Sequence, residues 1–110
     1  MEPEDAVERQ VRAYNARDLE GFVASYAQGV VVEDAEGKPL LTGHDELKER
    51  YRRLFADSPS LRAEIVNRIR IGSYVIDEER VSGLPEGGLH AVAIYRLDDA
   101  GLIDLVRFLR

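Results

Sequence analysis

Asp34 closes the β-branched run Val30-Val31-Val32-Glu33 and shares strand parity with Val30 and Val32, the residues expected to turn inward. If that face borders an apolar pocket, burial disfavours the charged carboxylate and raises its pKa. The group can then exchange a proton with a carbon acid near neutral pH. The competing reading is that Asp34 caps the turn Ala35-Glu36-Gly37-Lys38-Pro39, as aspartate commonly does at a strand end. Asp104 shares parity with Val106 and Phe108 and could add a second pocket carboxylate, although beside a turn it is equally plausible in solvent.

Tyrosines are the other residues with chemistry to offer. Tyr14 follows Gln10 by one helical turn on the same face, so its hydroxyl could donate to a ligand oxygen, or its ring could simply pack in the core. Tyr26, Tyr51 and Tyr95 fall on stripes expected to be buried and read as core or pocket wall. His90 shares parity with Val92 and Ile94, opposite Ala91 and Ala93, and is expected on the outer face toward a partner, while His44 sits near an exposed helix start and is expected in solvent. With two histidines far apart and no cysteine, no metal site is expected and no cofactor is called for. Gly83-Leu84-Pro85-Glu86-Gly87-Gly88 lacks the lysine and helix start of a phosphate cradle and reads as a hairpin loop at a pocket mouth. Asp77, Glu78 and Glu79 read, by composition, as a solvent-facing stretch.

The elements that must position these groups follow from periodicity. Val7, Val11 and Tyr14 predict a helix from Pro3 to about Arg17, and Asp18 caps a second helix with Leu19, Phe22, Val23 and Tyr26 on one stripe, ended by Gly29. Val30 to Asp34 and Leu40-Leu41 are short strands. Thr42 with Asp45 resembles a capping box opening a third helix with Leu47, Tyr51, Leu54 and Phe55 on one side, closed by Ser58-Pro59-Ser60. From Leu61 the period becomes two: Leu61, Ala63, Ile65, Ile69 and Ile71 predict one long strand, followed by strands over Tyr74 to Ser82, Leu89 to Leu97 and Leu102 to Leu109.

Helices followed by strands indicate an α+β fold, three N-terminal helices packed on a curved, mainly antiparallel sheet. The 110 residues suit one domain, 1–110, since a second core would be starved of apolar surface. On the last two strands both faces are apolar, and helices can cover only one, so a homodimer through the outer sheet face is expected. A net charge of -6 argues against a nucleic-acid partner, which needs clustered cations. No apolar run approaches membrane-spanning length and the first residues are acidic, so no membrane association and a cytoplasmic location are expected.

Tyr14-Asn15-Ala16-Arg17-Asp18-Leu19-Glu20-Gly21-Phe22, then Tyr26, then Val32-Glu33-Asp34, resembles the opening of ketosteroid isomerases and SnoaL-like proteins of the nuclear transport factor 2-like superfamily. Thr42-Gly43-His44-Asp45-Glu46-Leu47 is similar to their third-helix start, and Tyr95 to Ile103 to their last hairpin, so the resemblance spans nearly the whole chain. It implies a cone-shaped, cystatin-like roll enclosing a deep apolar pocket for a small apolar organic ligand. Tyr14, Tyr26, Tyr51, Ala93, Tyr95, Asp104, Val106 and Phe108 are the residues expected to line it. Asp34 falls at the position that resembles the general base of the isomerases. Gln10 takes the place of their oxyanion-hole tyrosine and Ala93 that of their protonated acid, so steroid isomerisation itself is not implied. Because the fold hosts many activities, the resemblance implies either of two functions. One is a cofactor-independent isomerase, cyclase or hydrolase-like enzyme using Asp34 as base. The other is a non-catalytic ligand-binding or dimeric interaction module.

Overall fold

The computed structural model describes residues 4–110. The helix start expected at Pro3 lies outside them. Helix α1 spans Ala6–Ala16 and opens on a capping box: Asp5 accepts from the Glu8 amide at 2.9 Å, and Glu8 reaches back to the Asp5 amide at 3.3 Å. Arg17 ends it in the left-handed conformation, φ 53°, and sends its guanidinium to the Leu61 carbonyl at 2.7 Å. Asp18 then caps helix α2, Leu19–Ala24, through the Gly21 amide. This helix is shorter than its apolar stripe predicts. The Ile103 amide donates to the Ser25 carbonyl, and strand β1, Tyr26–Glu33, begins at the next residue, so pairing with the last strand takes the backbone that another helical turn would need.

Strand β2, Pro39–Thr42, runs antiparallel to β1 and leads directly into helix α3, Gly43–Asp57. The capping box expected of Thr42 and Asp45 does not form. Thr42 makes no side-chain cap, and its own amide donates instead to Glu46 at 3.0 Å, one residue further along the helix. Gly43 holds φ at 84°, the left-handed bend that lets strand pass into helix without a linker. His44, expected in solvent, turns back to meet the Tyr26 carbonyl through Nε2 at 2.7 Å.

Strands β3, Arg62–Ile71, β4, Tyr74–Ser82, β5, Leu89–Leu97, and β6, Ile103–Leu109, complete one six-stranded sheet of order β2-β1-β6-β5-β4-β3. All pairings are antiparallel except β1 with β6, which is parallel. The architecture is α+β, as expected, with the helices and the aromatic core on the inner face of the sheet. Among the described residues no helix is long and apolar enough to cross a membrane.

Strand parity sets what faces the core, and one irregularity changes it. A bulge between Ile65 and Asn67 shifts the register of β3 against β4, so the expected apolar row splits. Leu61 and Ala63 are buried, whereas Ile69 and Ile71 turn outward and are 52% and 65% exposed. Arg68 turns inward instead, clasping Asp77 through two bonds of 2.6 and 2.8 Å, and Arg70 pairs with Asp5 and Glu8 at the start of α1. The solvent-facing reading of Asp77 and Glu79 is therefore wrong. On β4 they alternate with Val75 and Val81 on the buried face, and Asp77 is fully buried with Glu79 nearly so. Only Glu78 points outward, where it meets His90 at 2.7 Å.

Candidate functional site

Between the helices and the inner face of the sheet lies a cavity of about 450 Å³. Its wall is aromatic because α1, α2 and α3 each turn a ring toward the sheet. Phe22 packs on Tyr51 with centroids 4.4 Å apart and on Tyr26 at 5.0 Å, and Tyr14 meets Phe55 edge-on at 5.7 Å. Tyr14, Tyr26, Tyr51, Tyr95 and Phe108, all anticipated from sequence, border this space. Leu84, Pro85 and Glu86 of the β4–β5 hairpin stand at its mouth, and a Cβ at Gly83 would collide with the Ser60 backbone, so that hairpin is held close against the end of α3.

A chain of hydrogen bonds crosses one end of the cavity. The Tyr26 hydroxyl donates to Gln10 Oε1 at 3.2 Å, and Gln10 Nε2 donates to the Tyr95 hydroxyl oxygen at 3.1 Å. With its oxygen already accepting, Tyr95 keeps its own O–H proton for an acceptor in the cavity. Burial holds the Tyr95 and Tyr26 phenols well above their ordinary range, and that of Tyr51 is pushed up to about 12, so all three remain neutral donors.

Glu79 is the carboxylate that the fold delivers to this space. Strand β4 points it at the cavity, and its neighbour across the pair, Ala91, has no bulk to fill the volume above the sheet. Burial raises its pKa from 4.5 to about 7, the nearby Asp77 charge pushes the same way, and Arg110 offsets part of the rise. Asp77 is spent on Arg68, whereas Glu79 makes no hydrogen bond or ion pair with the described residues. A carboxyl that titrates near neutrality beside an apolar cavity can both take and return a proton.

The profile of the SnoaL-like domain matches residues 7–106. The chain belongs to this family. No curated protein matches the SnoaL-like chain in sequence. Its fold is shared with a cystatin-fold protein from Novosphingobium aromaticivorans, at 23% identity and a TM-score of 0.86 over 96% of this chain and 95% of the other. A Δ5-3-ketosteroid isomerase from a Mycobacterium species is similar at 23% identity and a TM-score of 0.81, over 96% of this chain and 89% of the enzyme. A computationally designed 17-OHP binder superposes with a TM-score of 0.81 at 19% identity, over 96% and 88% of the two chains.

Measured against the expectations for such a domain, Asp34 is the main correction. It does not border the cavity. Its Oδ1 accepts from the Glu36 and Lys38 amides at 3.0 and 2.9 Å, and its backbone closes the turn through Lys38 and Gly37. A carboxylate held by two backbone donors at an exposed turn has the capping geometry, and the expected place on the pocket wall is not the one it occupies. Asp104 is likewise on the other side: Arg96 donates to it at 2.8 Å on the outer face, where a bulge between Arg96 and Leu97 displaces it from the parity of Val106. Ala93 and Val106 are buried within the core, at 0% and 1% exposure, rather than in the cavity wall.

Glu79, Gln10, Ser58, Arg50 and Arg110 border the cavity and were not anticipated as site residues. The period of β4 held the signal for Glu79, since Val75 and Val81 bracket Asp77 and Glu79 at spacing two. Nothing local marks Gln10, whose partners lie 16 and 85 residues away. Among the described residues no cluster of three or more His, Asp or Glu is placed to hold a metal ion.

Proposed function

We propose that this SnoaL-like domain binds a compact, largely apolar organic molecule in the cavity and moves a proton on it, in a cofactor-independent isomerisation or cyclisation. Glu79 is the acid-base group and the Tyr95 hydroxyl the donor to the substrate oxygen. The observation that carries this reading is the buried Glu79 carboxyl facing an aromatic cavity with no partner among the described residues, where burial pushes its pKa up to about 7. Removal of a proton beside a carbonyl needs a base of matched pKa and a donor where charge develops on oxygen, and Tyr95 is oriented for that by Gln10. The likeness to a ketosteroid isomerase and to a 17-OHP binder supports the fold's capacity for such ligands.

The test is hydrogen exchange on a simple enolisable probe, 2-tetralone, followed as deuterium uptake by NMR. Wild type should accelerate exchange, and Glu79→Gln should abolish the acceleration while retaining binding. Binding without any acceleration, or equal acceleration by Glu79→Gln, removes the acid-base role and leaves a ligand-binding module. Such a module is the reading favoured by the loss of Asp34 from the cavity.

A second copy of the chain is proposed to cover the outer sheet face. Val66, Ile69, Ile71 and Tyr74 are exposed there by 46, 52, 65 and 39%, and the half-buried Val92, Ile94 and Leu105 continue the patch. An apolar surface of this kind favours a two-fold contact. Native mass spectrometry should show a dimer, and Ile71→Asp should yield monomer; a wild-type monomer at micromolar concentration would remove the proposal.

A further inference from the structure

The charged side chains that border the cavity differ in how they meet water. Arg50, Arg53, Asp57, Glu86 and Arg110 are exposed, so solvent and salt screen them, whereas Glu79 is buried, at 9% exposure. Asp77, two residues before it on the same face of β4, has both carboxylate oxygens taken by Arg68 at 2.6 and 2.8 Å. Glu79 has no such partner among the described residues, and the small side chain opposite it on β5, Ala91, leaves its carboxyl open to the cavity. A buried carboxylate without a partner is costly, and a cation that reaches it offsets that cost. Tyr14, Phe22, Tyr26, Tyr51, Tyr95 and Phe108 line the same hollow. The faces of aromatic rings carry partial negative charge and attract cations, so this lining and the open carboxylate favour ligand charge of the same sign. One carboxylate offers too few oxygens to hold a metal ion, and aromatic walls suit an organic ammonium instead.

We infer that the cavity accepts a protonated primary amine with an apolar body, its ammonium donating to the Glu79 carboxylate and its body lying among the aromatic rings. This rests on the reading of Glu79 as facing a small-molecule cavity and adds a charged class of ligand to the neutral carbonyl compounds of that reading. Because the empty cavity favours the neutral carboxyl, with a pKa of about 7, the amine gains its partner as the carboxyl ionises. The other titratable or charged groups around Glu79 are Asp77 on β4, Tyr14 on α1, Tyr26 on β1, Tyr51 on α3, Tyr95 on β5 and Arg110 after β6. Asp77 is engaged by Arg68, burial raises the four phenols above their ordinary range, and a guanidinium does not titrate in a protein. Neither His44 nor His90 borders the cavity, so Glu79 sets the pH dependence near neutrality.

The experiment compares 2-aminotetralin, protonated throughout the range used, with the neutral 2-tetralone, which has the same bicyclic body, by isothermal titration calorimetry. At about pH 8.5 wild type should bind the ammonium about tenfold or more tightly than the ketone, as expected for one charge-assisted contact. At about pH 5.5 only about 3% of a carboxyl titrating at about 7 is ionised, so the ammonium should bind about thirtyfold more weakly, a loss that the ketone should not share. Glu79→Gln should keep the ketone and lose both the preference for the ammonium and its pH dependence. Equal binding of the two probes at about pH 8.5, or a preference that survives Glu79→Gln, overturns the inference, and ketone binding in the same titrations keeps the cavity reading. A flat pH profile for the ammonium in wild type overturns it equally. Failure of wild type to bind either probe overturns the inference and the cavity reading together.

Discussion

Replacing Glu79 by glutamine tests whether the cavity is as dry as its lining implies, without any knowledge of the ligand. The side chain keeps its size and loses only the ability to ionise. In wild type the carboxyl titrates near 7 when folded and near its ordinary 4.5 when unfolded. Between those values the folded chain holds a proton that the unfolded chain has released. Stability therefore falls as pH rises through that window and levels off above it. The shift from 4.5 to about 7 is worth about 3 kcal/mol in all, of which about 2.5 kcal/mol falls between about pH 5 and about pH 8.5. Glu79→Gln removes this component, so its advantage over wild type should grow by about 2.5 kcal/mol across that range, or about 2 M in urea midpoint for a chain of this size. Urea unfolding of both proteins at the two pH values measures it, and subtraction cancels every pH-dependent contribution that the two proteins share. Parallel pH dependence in the two proteins would refute the reasoning, because it would mean that the carboxyl meets water in the folded state as freely as in the unfolded one.

Gln10→Leu should cost about 2–3 kcal/mol in thermal or urea unfolding, since it strands the Tyr26 and Tyr95 hydroxyls in the core, and it should weaken ligands that accept from Tyr95. Asp34→Ala should lose about 1 kcal/mol through the two freed turn amides, yet leave probe binding and deuterium exchange unchanged. Ser58→Ala should be neutral or stabilising by up to about 1 kcal/mol, because Ser58 Oγ is buried without a hydrogen-bond partner among the described residues and alanine removes that penalty. A clear loss of stability in Ser58→Ala would show that the hydroxyl has a partner after all.

The fold was legible where periodicity and turn residues agreed. Strand β5 was read at its observed bounds, Leu89–Leu97, and the three helices and the inward parity of Ala91, Ala93 and Tyr95 followed from spacing alone. What spacing could not show was pairing at a distance. The end of α2 is decided by Ile103, far along the chain, and the faces of β3 by a bulge at a position where Val66 looks like any other strand residue. The candidate site suffered from the same blindness. Asp34 was placed by extending the parity of β1 one residue too far into a turn, and the composition of Asp77-Glu78-Glu79 concealed an alternation that sends the outer two inward. Reading parity through acidic residues as strictly as through apolar ones recovers Glu79. Gln10 could not be found that way, because its role exists only once α1, β1 and β5 have met.

The order β2-β1-β6-β5-β4-β3 puts β6, the last strand in the chain, between β1 and β5. Without β6 the remaining strand pairings fall into two groups, β2-β1 and β5-β4-β3, with no strand pairing between them. Ile103–Leu109 joins the two groups, parallel to β1 and antiparallel to β5, and brings Phe108 to the cavity wall. The same seven residues thus close the sheet and contribute to the cavity wall, so a substitution that loosens this strand is expected to disturb both together.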